Sequence, residues 1–367
     1  MSDSSRNSTK HIKLFIPGPV EVRPKILDAQ ANWMIGHRAP ECMELMGRIQ
    51  PKLRQVFFTQ QRVLITSSTG TGLWEGAARN LVARKILHCV NGAFAERWHE
   101  VSQLNGKETE ALSVPWGEPI LPKQVTERLA TGEFDALAVV HNETSTGILS
   151  PLRDIAAAVR ALPNGHDIML IVDAVSGLSG AELRFDDWDL DLVLTSSQKA
   201  FALPPGLAFA AISERAMRKA ATVPNRGYYF DFISLAKYLD KNQHPATSPI
   251  PLLYALDVQL DDMLAESMAG RFARHLAMRD MTVQYLQTRG YQLYGNPAYA
   301  SPTVSNVRND PAIDISALNA HLRSRGMAIS NGYGALKGKA FRIAHMGDIQ
   351  PADLEELFAA MDEFFNR

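Results

Sequence analysis

The chain has 367 residues, 46% of them hydrophobic and 21% charged, with a formal net charge of −1. This composition suits a globular protein with a large core and roughly two domains, and it provides no charge field that would favour nucleic acid or an anionic membrane. No apolar run is long enough to span a bilayer, and the two cysteines, Cys42 and Cys89, make neither a disulfide framework nor a metal motif.

Taken in order, residues 1–10 are polar and serine-rich and lack the apolar core of a signal peptide. They read as the start of a flexible tail over 1–14 in a cytoplasmic protein. Phe15-Ile-Pro-Gly-Pro-Val20 is a stiff turn: two prolines fix φ, and Gly18 lets the backbone approach another group closely. In Trp33-Met-Ile-Gly-His-Arg38 a basic pair, His37 and Arg38, follows an apolar patch. It is either a solvated pair at a helix end or a cationic wall for an acidic substrate. Residues 62–66 predict a strand. It runs into Ser67-Ser-Thr-Gly-Thr-Gly72 and then a helical pattern carrying Leu73, Trp74, Ala77, Ala78 and Leu81. A strand, a Gly/Ser/Thr loop and a helix start make an anion cradle, because free N–H groups and the positive end of the dipole face outward. The loop matches neither a Walker A motif nor a Gly-x-Gly-x-x-Gly fingerprint. Its Ser, Thr and Gly residues also suit plain helix capping.

Residues 86–90 predict a second strand, followed by a turn and a helix beginning near Phe94, a ring able to stack on a planar ligand or simply to join the core. Residues 135–140 predict a buried strand ending in His141-Asn-Glu-Thr-Ser-Thr-Gly147, where Thr144 offers a hydroxyl. A helix over 151–162 follows. Residues 168–172 predict another buried strand, with Asp173 at its end, where open α/β sheets bind ligands. A carboxylate there can hold a pyridine nitrogen protonated, as pyridoxal phosphate chemistry requires, or serve as a turn residue. Residues 192–194 predict a third buried strand, then Thr195, Ser196, Ser197, Gln198 and a lone lysine, Lys199, before Pro204, Pro205 and Gly206 force a turn. Desolvation lowers an amine's pKa and frees the lone pair that attacks an aldehyde. The alternative is a lysine in a surface loop. Strands alternating with helices imply a mainly parallel sheet.

Residues 207–212 predict a strand. Residues 221–251 are rich in proline, tyrosine and lysine with little periodicity and predict a long functional loop. Residues 252–289 predict one connecting helix. Short strands at 302–307 and 340–344 alternate with helices at 315–324 and 351–365, a smaller α+β unit. Arg342 lies within its strand, and a buried arginine needs a partner, either a substrate carboxylate or a structural one.

With these motifs the chain resembles the class V aminotransferases of fold-type I pyridoxal-phosphate enzymes, in the alanine/serine–glyoxylate (serine–pyruvate) branch. The segments that carry it are Phe15-Ile-Pro-Gly-Pro, Glu143-Thr-Ser-Thr-Gly, Asp173-Ala-Val-Ser, Ser197-Gln-Lys and Phe341-Arg-Ile-Ala-His-Met-Gly. The resemblance implies an α/β fold with a mainly parallel seven-stranded sheet flanked by helices. A cofactor domain over 15–251 and a smaller C-terminal α+β domain over 252–367, which the N-terminal segment joins, are expected. Pyridoxal phosphate is the implied cofactor, without a metal. Lys199 would bond it and move the substrate proton, and Asp173 would pair with its ring nitrogen. Thr144 would meet the ring oxygen and Phe94 would stack on the ring. Thr69, Gly70, Thr71, Ser196 and Gln198 would hold the phosphate, joined by Thr247 from the partner of a homodimer with a shared active site. Arg342 would take the substrate carboxylate, with Gly18, His37 and Arg38 nearby. Phe94 stands where relatives often have tryptophan, and His244 where some have tyrosine. The expected reaction moves an amino group from alanine or serine to glyoxylate or pyruvate. Alternatives are the same chemistry on aspartate or phosphoserine, a cysteine desulfurase, a nucleotide-binding module, or a non-catalytic interaction protein.

Overall fold

A computed structural model describes residues 11–366; the segment 1–10, expected to begin the flexible tail, lies outside them. Seven strands form the main sheet. From edge to edge they are Arg62–Thr66, Ala208–Ile212, Leu192–Ser196, Met169–Asp173, Ala136–Val140, Lys85–Val90 and Glu108–Ser113. Ala208–Ile212 pairs antiparallel with both its neighbours, and every other pairing in this sheet is parallel. The sheet is therefore mainly parallel, as expected.

Helices cover both faces, so the central strands are apolar throughout. All five residues of Ala136–Val140 and of Ala208–Ile212 are buried. Each aliphatic side chain withdrawn from water stabilises the fold by roughly 1.5–3 kcal/mol. Polar side chains are correspondingly left to the strand ends, as at Asp173 and Ser196. The edge strand Glu108–Ser113 is half-buried or exposed at every residue, and its Glu-Thr-Glu pattern hides it from a search for apolar runs.

A second sheet of four strands runs Lys13–Phe15, Met327–Asn331, Ala340–Ala344, Val304–Arg308. Lys13–Phe15 pairs in parallel with Met327–Asn331, so Lys13 and Leu14 belong to a strand and not to the expected tail. Two cores result. The larger surrounds the main sheet and takes Leu253, Leu256, Leu260 and Met263 from the helix Ile250–Glu266. The smaller joins Phe15 to Met278, Leu318, Phe341 and Leu357.

Two expectations change here. The single connecting helix over 252–289 is in fact two helices, Ile250–Glu266 and Met268–Gln287, broken at Ser267. Ser267 takes φ 65° and accepts the N–H of Gly270, so it ends one helix and caps the next. The loop over 221–251 contains a helix, Phe232–Leu239, capped by Asp231. Phe232 and Leu235 of that helix are buried in the main core. At eight residues, it is too short for periodicity to reveal.

Candidate active site

Because the parallel strands share a direction, their carboxyl ends open on one edge of the sheet, where ligands of open α/β folds sit. A cavity of about 170 Å³ lies there. Larger hollows of about 680–780 Å³ occur elsewhere, but they are open surface grooves and none is lined by Asp173 or Lys199. The smaller cavity is lined by Thr69, Gly70 and Thr71, by Phe94 and Thr144, and by Asp173, Ser196, Gln198 and Lys199. Nine residues singled out along the sequence thus meet in one place.

Asp173 ends its strand 4% exposed. Burial pushes its carboxyl up to about 6, opposed by hydrogen bonds from the Val175 N–H and the Trp74 indole N–H. Lys199 as a residue is half-buried, but its amine end is enclosed. Burial, then the charge of Arg342, lowers its pKa to about 8. An amine poised there is partly unprotonated near neutrality, the state a nucleophile or base requires. Nζ donates to the carbonyl of Pro17. A Cβ placed on Gly18 would lie 2.7 Å from that Nζ, and Gly18 has φ +124°. The close approach read from the Pro-Gly-Pro turn is therefore an approach to Lys199.

The helix Gly70–Leu81 begins at the cavity. Its N-cap Thr69 makes no side-chain cap bond, so its hydroxyl is not used by the helix. The first N–H groups of any helix lack intrahelical partners. The hydroxyl of Ser196, buried across the cavity, also has no hydrogen-bond partner among the described residues. A Cβ on Gly70 would lie 2.5 Å from Val175, so only glycine lets the helix start so near the Asp173 loop. Orphan donors at a helix N-terminus are what a phosphate group requires.

Thr144 and Ser176 share a hydrogen bond of 2.5 Å between their hydroxyl oxygens. Two hydroxyls with one bond between them keep one O–H free to donate into the cavity. Phe94 is stacked by Tyr333 at 5.1 Å with planes 18° apart. Its helix, Ala93–Leu104, is held at the start by Glu143, which is fully buried and accepts from Ala95 N, Ser145 N and Ser145 Oγ. Burial raises the Glu143 pKa, and these bonds oppose it.

Arg342 is buried in Ala340–Ala344, with Nε donating to the Asn331 carbonyl at 3.0 Å and the guanidinium 5.5 Å from the centre of the Tyr333 ring. Burial lowers its pKa to about 10. The charge of Glu143 favours its ionisation, yet among the described residues no carboxylate forms an ion pair with it. His37 is half-buried and Arg38 exposed, and neither lines the cavity. Thr247 is exposed and does not line the cavity of its own chain. His244 is buried, bonded through Nδ1 to Ala246. Cys42 and Cys89 lie buried in the main core, and burial pushes the Cys89 thiol up to about 12. Neither is placed as the mobile nucleophile a desulfurase needs.

The donor set fits pyridoxal phosphate: an amine, a buried carboxylate, a free hydroxyl pair and a helix start with orphan donors, arranged around one cavity. Trp74, Asn142, Val175 and Ser176 line the cavity without having been assigned a role from sequence. For Trp74 a signal existed, since it lies one helical turn beyond Thr71 and so on the same face.

A model of the family "Aminotransferase class-V" matches residues 25–343. The L-aspartate–glyoxylate aminotransferase of Paracoccus denitrificans is 33% identical, with 94% of this chain and 88% of the relative aligned. The serine–glyoxylate aminotransferase of Methylorubrum extorquens is 29% identical over 96% of this chain and 90% of that protein. Among solved structures, an alanine–glyoxylate aminotransferase from Nostoc sp. superposes with a TM-score of 0.90 at 29% identity, covering 100% of this chain and 99% of that one.

Proposed function

The chain belongs to the class V aminotransferases, with pyridoxal phosphate as cofactor, and we propose that it moves an amino group from alanine or serine to glyoxylate or pyruvate in two half-reactions. One observation carries this reading: Asp173 and Lys199, 26 positions apart in the chain, line one cavity at the carboxyl ends of adjacent parallel strands. The relatives named for serine–glyoxylate and alanine–glyoxylate transfer support the substrate pair.

In this reading each side chain has one task. Thr69, Gly70 and Thr71, with Ser196 and Gln198, receive the phosphate at the helix start. Phe94 lies against the ring, and the Thr144–Ser176 pair donates to its oxygen. Asp173 keeps a negative charge at the ring nitrogen. When bound, the cofactor supplies an electron sink for the pair left behind as the substrate's α-proton departs. Arg342 grips the substrate carboxylate, for which its lack of a protein carboxylate partner is the support. Lys199 Nζ takes the proton from the substrate α-carbon, and the same amine would deliver it to the cofactor carbon on the far side of the amino nitrogen. Gly18 leaves Lys199 the room to move. His37 and Arg38 remain candidates for an outer cationic wall.

The active unit in this reading is a homodimer, in which Thr247, exposed and away from its own cavity, completes the phosphate site of the second copy. Large exposed side chains at Trp33, Met34 and Tyr228 support such a contact. The division into a cofactor domain and a smaller domain draws support from the two cores, which hand over between Met268 and Met278. No described helix is long and apolar enough to cross a membrane, and a cytoplasmic setting is part of the same proposal.

A second reading, with aspartate as donor, is favoured by the Paracoccus relative. Purified enzyme with bound cofactor, given alanine, serine and aspartate against glyoxylate, pyruvate and 2-oxoglutarate, separates the two. Fastest loss of the visible band with alanine or serine supports the first, and with aspartate the second. Lys199→Ala should lower turnover roughly a thousandfold or more, within the range a positioned proton-transfer group supplies. Wild-type turnover in that variant overturns both readings.

A further inference from the structure

Trp74 has no task in the roles above, yet it lines the cavity, and its Nε1–H donates to Oδ2 of Asp173 at 2.7 Å. The other oxygen, Oδ1, accepts the backbone N–H of Val175 at 2.7 Å. Among the described residues no other side chain donates to this carboxylate. We propose that Trp74 is the positioning residue for Asp173: its indole N–H fixes the orientation of the carboxylate and keeps it charged, so that the anion faces the cofactor's ring nitrogen. The proposal rests on the reading of the cavity as a pyridoxal phosphate site.

The indole is well held for this task. Trp74 is 3% exposed and stacks on Trp98 at 5.8 Å with planes 14° apart. Trp98 in turn meets His88 edge-on at 5.6 Å. The donor therefore cannot swing away without displacing two buried rings. Trp74 also lies three residues after Thr71 on the helix Gly70–Leu81, so both project from one face. One rigid helix then supplies N–H groups to the phosphate at its start and a donor to the Asp173 carboxylate one turn later.

The electrostatics give the bond its weight. Asp173 is desolvated, and the nearby Glu143 charge opposes its ionisation, whereas the Lys199 charge favours it. Hydrogen bonds to a buried charged group are worth more than those between neutral groups. With both bonds in place the carboxyl sits at about 6. Removing the indole N–H should raise it by about one unit or more, which protonates a large fraction at neutral pH.

The test compares cofactor-free wild type with Trp74→Phe by spectral titration with pyridoxal phosphate from pH 5 to 9. A second variant carries benzothienylalanine at position 74, which keeps the bicyclic shape and removes only the N–H. It answers the question if the phenylalanine variant fails to fold. The expected result is an affinity about twofold weaker near pH 7, widening to about 10-fold near pH 5, with the fall-off on acidification beginning about one unit higher than in wild type. The profiles should converge by pH 9. Superimposed profiles, or a loss equal at every pH, overturn the proposal, because a merely structural side chain has no reason to track the ionisation of Asp173. Wild type that takes up no cofactor at any pH overturns the reading of the site, and this proposal with it.

Discussion

Gly18 shows most directly how one residue governs the chemistry. Its φ of +124° is strained for any side chain, and a Cβ would stand 2.7 Å from Lys199 Nζ, 2.8 Å from Cδ and 2.9 Å from Cε. Lysine is flexible, so an added methyl group would push the amine aside more easily than it would unfold the chain. Gly18→Ala should cost about 1–3 kcal/mol of stability from backbone strain. It should lower kcat about 100-fold, the scale expected when a reacting group is misplaced by about 1 Å. Kinetics beside a thermal melt check this, and a variant with wild-type kcat would show that the contact does not constrain Lys199. Sequence disclosed that a glycine between two prolines must let something approach. It did not disclose that the neighbour would be a lysine 181 residues away. Trp74 was hidden for the same reason: its helical face was legible, and its carboxylate partner was not.

At the level of elements, the strand starts are tied down as carefully as the strand ends are kept free. Asp135, just before Ala136–Val140, accepts the backbone N–H groups of Ala83, Arg84 and Lys85 and the ammonium of Lys219. It thereby fastens the turn into Lys85–Val90 to the neighbouring strand and to the helix Glu214–Thr222. Asp135→Ala leaves Lys219 facing a gap and three N–H groups without their acceptor. It should lower unfolding free energy by roughly 3–5 kcal/mol, as breaking a buried pair does. Urea unfolding measures this, and kcat of the folded enzyme should stay within about twofold of wild type because the site lies at the opposite strand ends. A variant as stable as wild type would show that these bonds are replaced by water at no cost. The elements that escaped sequence reading had weak periodic signals. Glu108–Ser113 is a polar edge, Phe232–Leu239 is short, and the break at Ser267 interrupts an otherwise continuous helical pattern without a proline.

Over the whole molecule, the most deeply buried histidines among the described residues set the response to acid. His88, His141, His275 and His345 are each at most 2% exposed. Burial lowers His88 to about 3, His141 to about 4 and His345 to about 3, and places His275 well below its ordinary value. The unfolded chain protonates these imidazoles near pH 6.5 and the folded chain does not. The stability they permit is therefore intact above 6.5 and falls as pH drops from there toward 3–4, by about 1.4 kcal/mol per unit for each. Asp173 and Glu143, whose pKa values are raised, work in the opposite direction, but they are outnumbered by these four imidazoles and by His244, which burial also lowers. The urea midpoint of cofactor-free protein should drop clearly between pH 7 and pH 5. An unchanged midpoint would mean that these rings are not buried neutral. The two units are also joined through the site. Thr303 of the smaller unit accepts from Asn142 and donates to the Ser176 carbonyl, and Arg271 donates to the carbonyl of Ala200, next to Lys199.

By itself the sequence determined the class of sheet, the family and the chemically necessary groups. Apolar runs ending in polar residues must be buried strands with reactive ends, and a lone amine with a strand-end carboxylate suits few reactions. Tertiary structure alone decided which groups touch. The order of strands in the sheet put Asp173 beside Lys199, and the meeting of two units brought the Arg342 charge within reach of Lys199. The start of one helix brought Trp74 to the carboxylate. Local pattern specifies which face of an element turns inward, whereas contacts between residues far apart in the chain depend on how all the faces pack together, and no stretch of sequence encodes that separately.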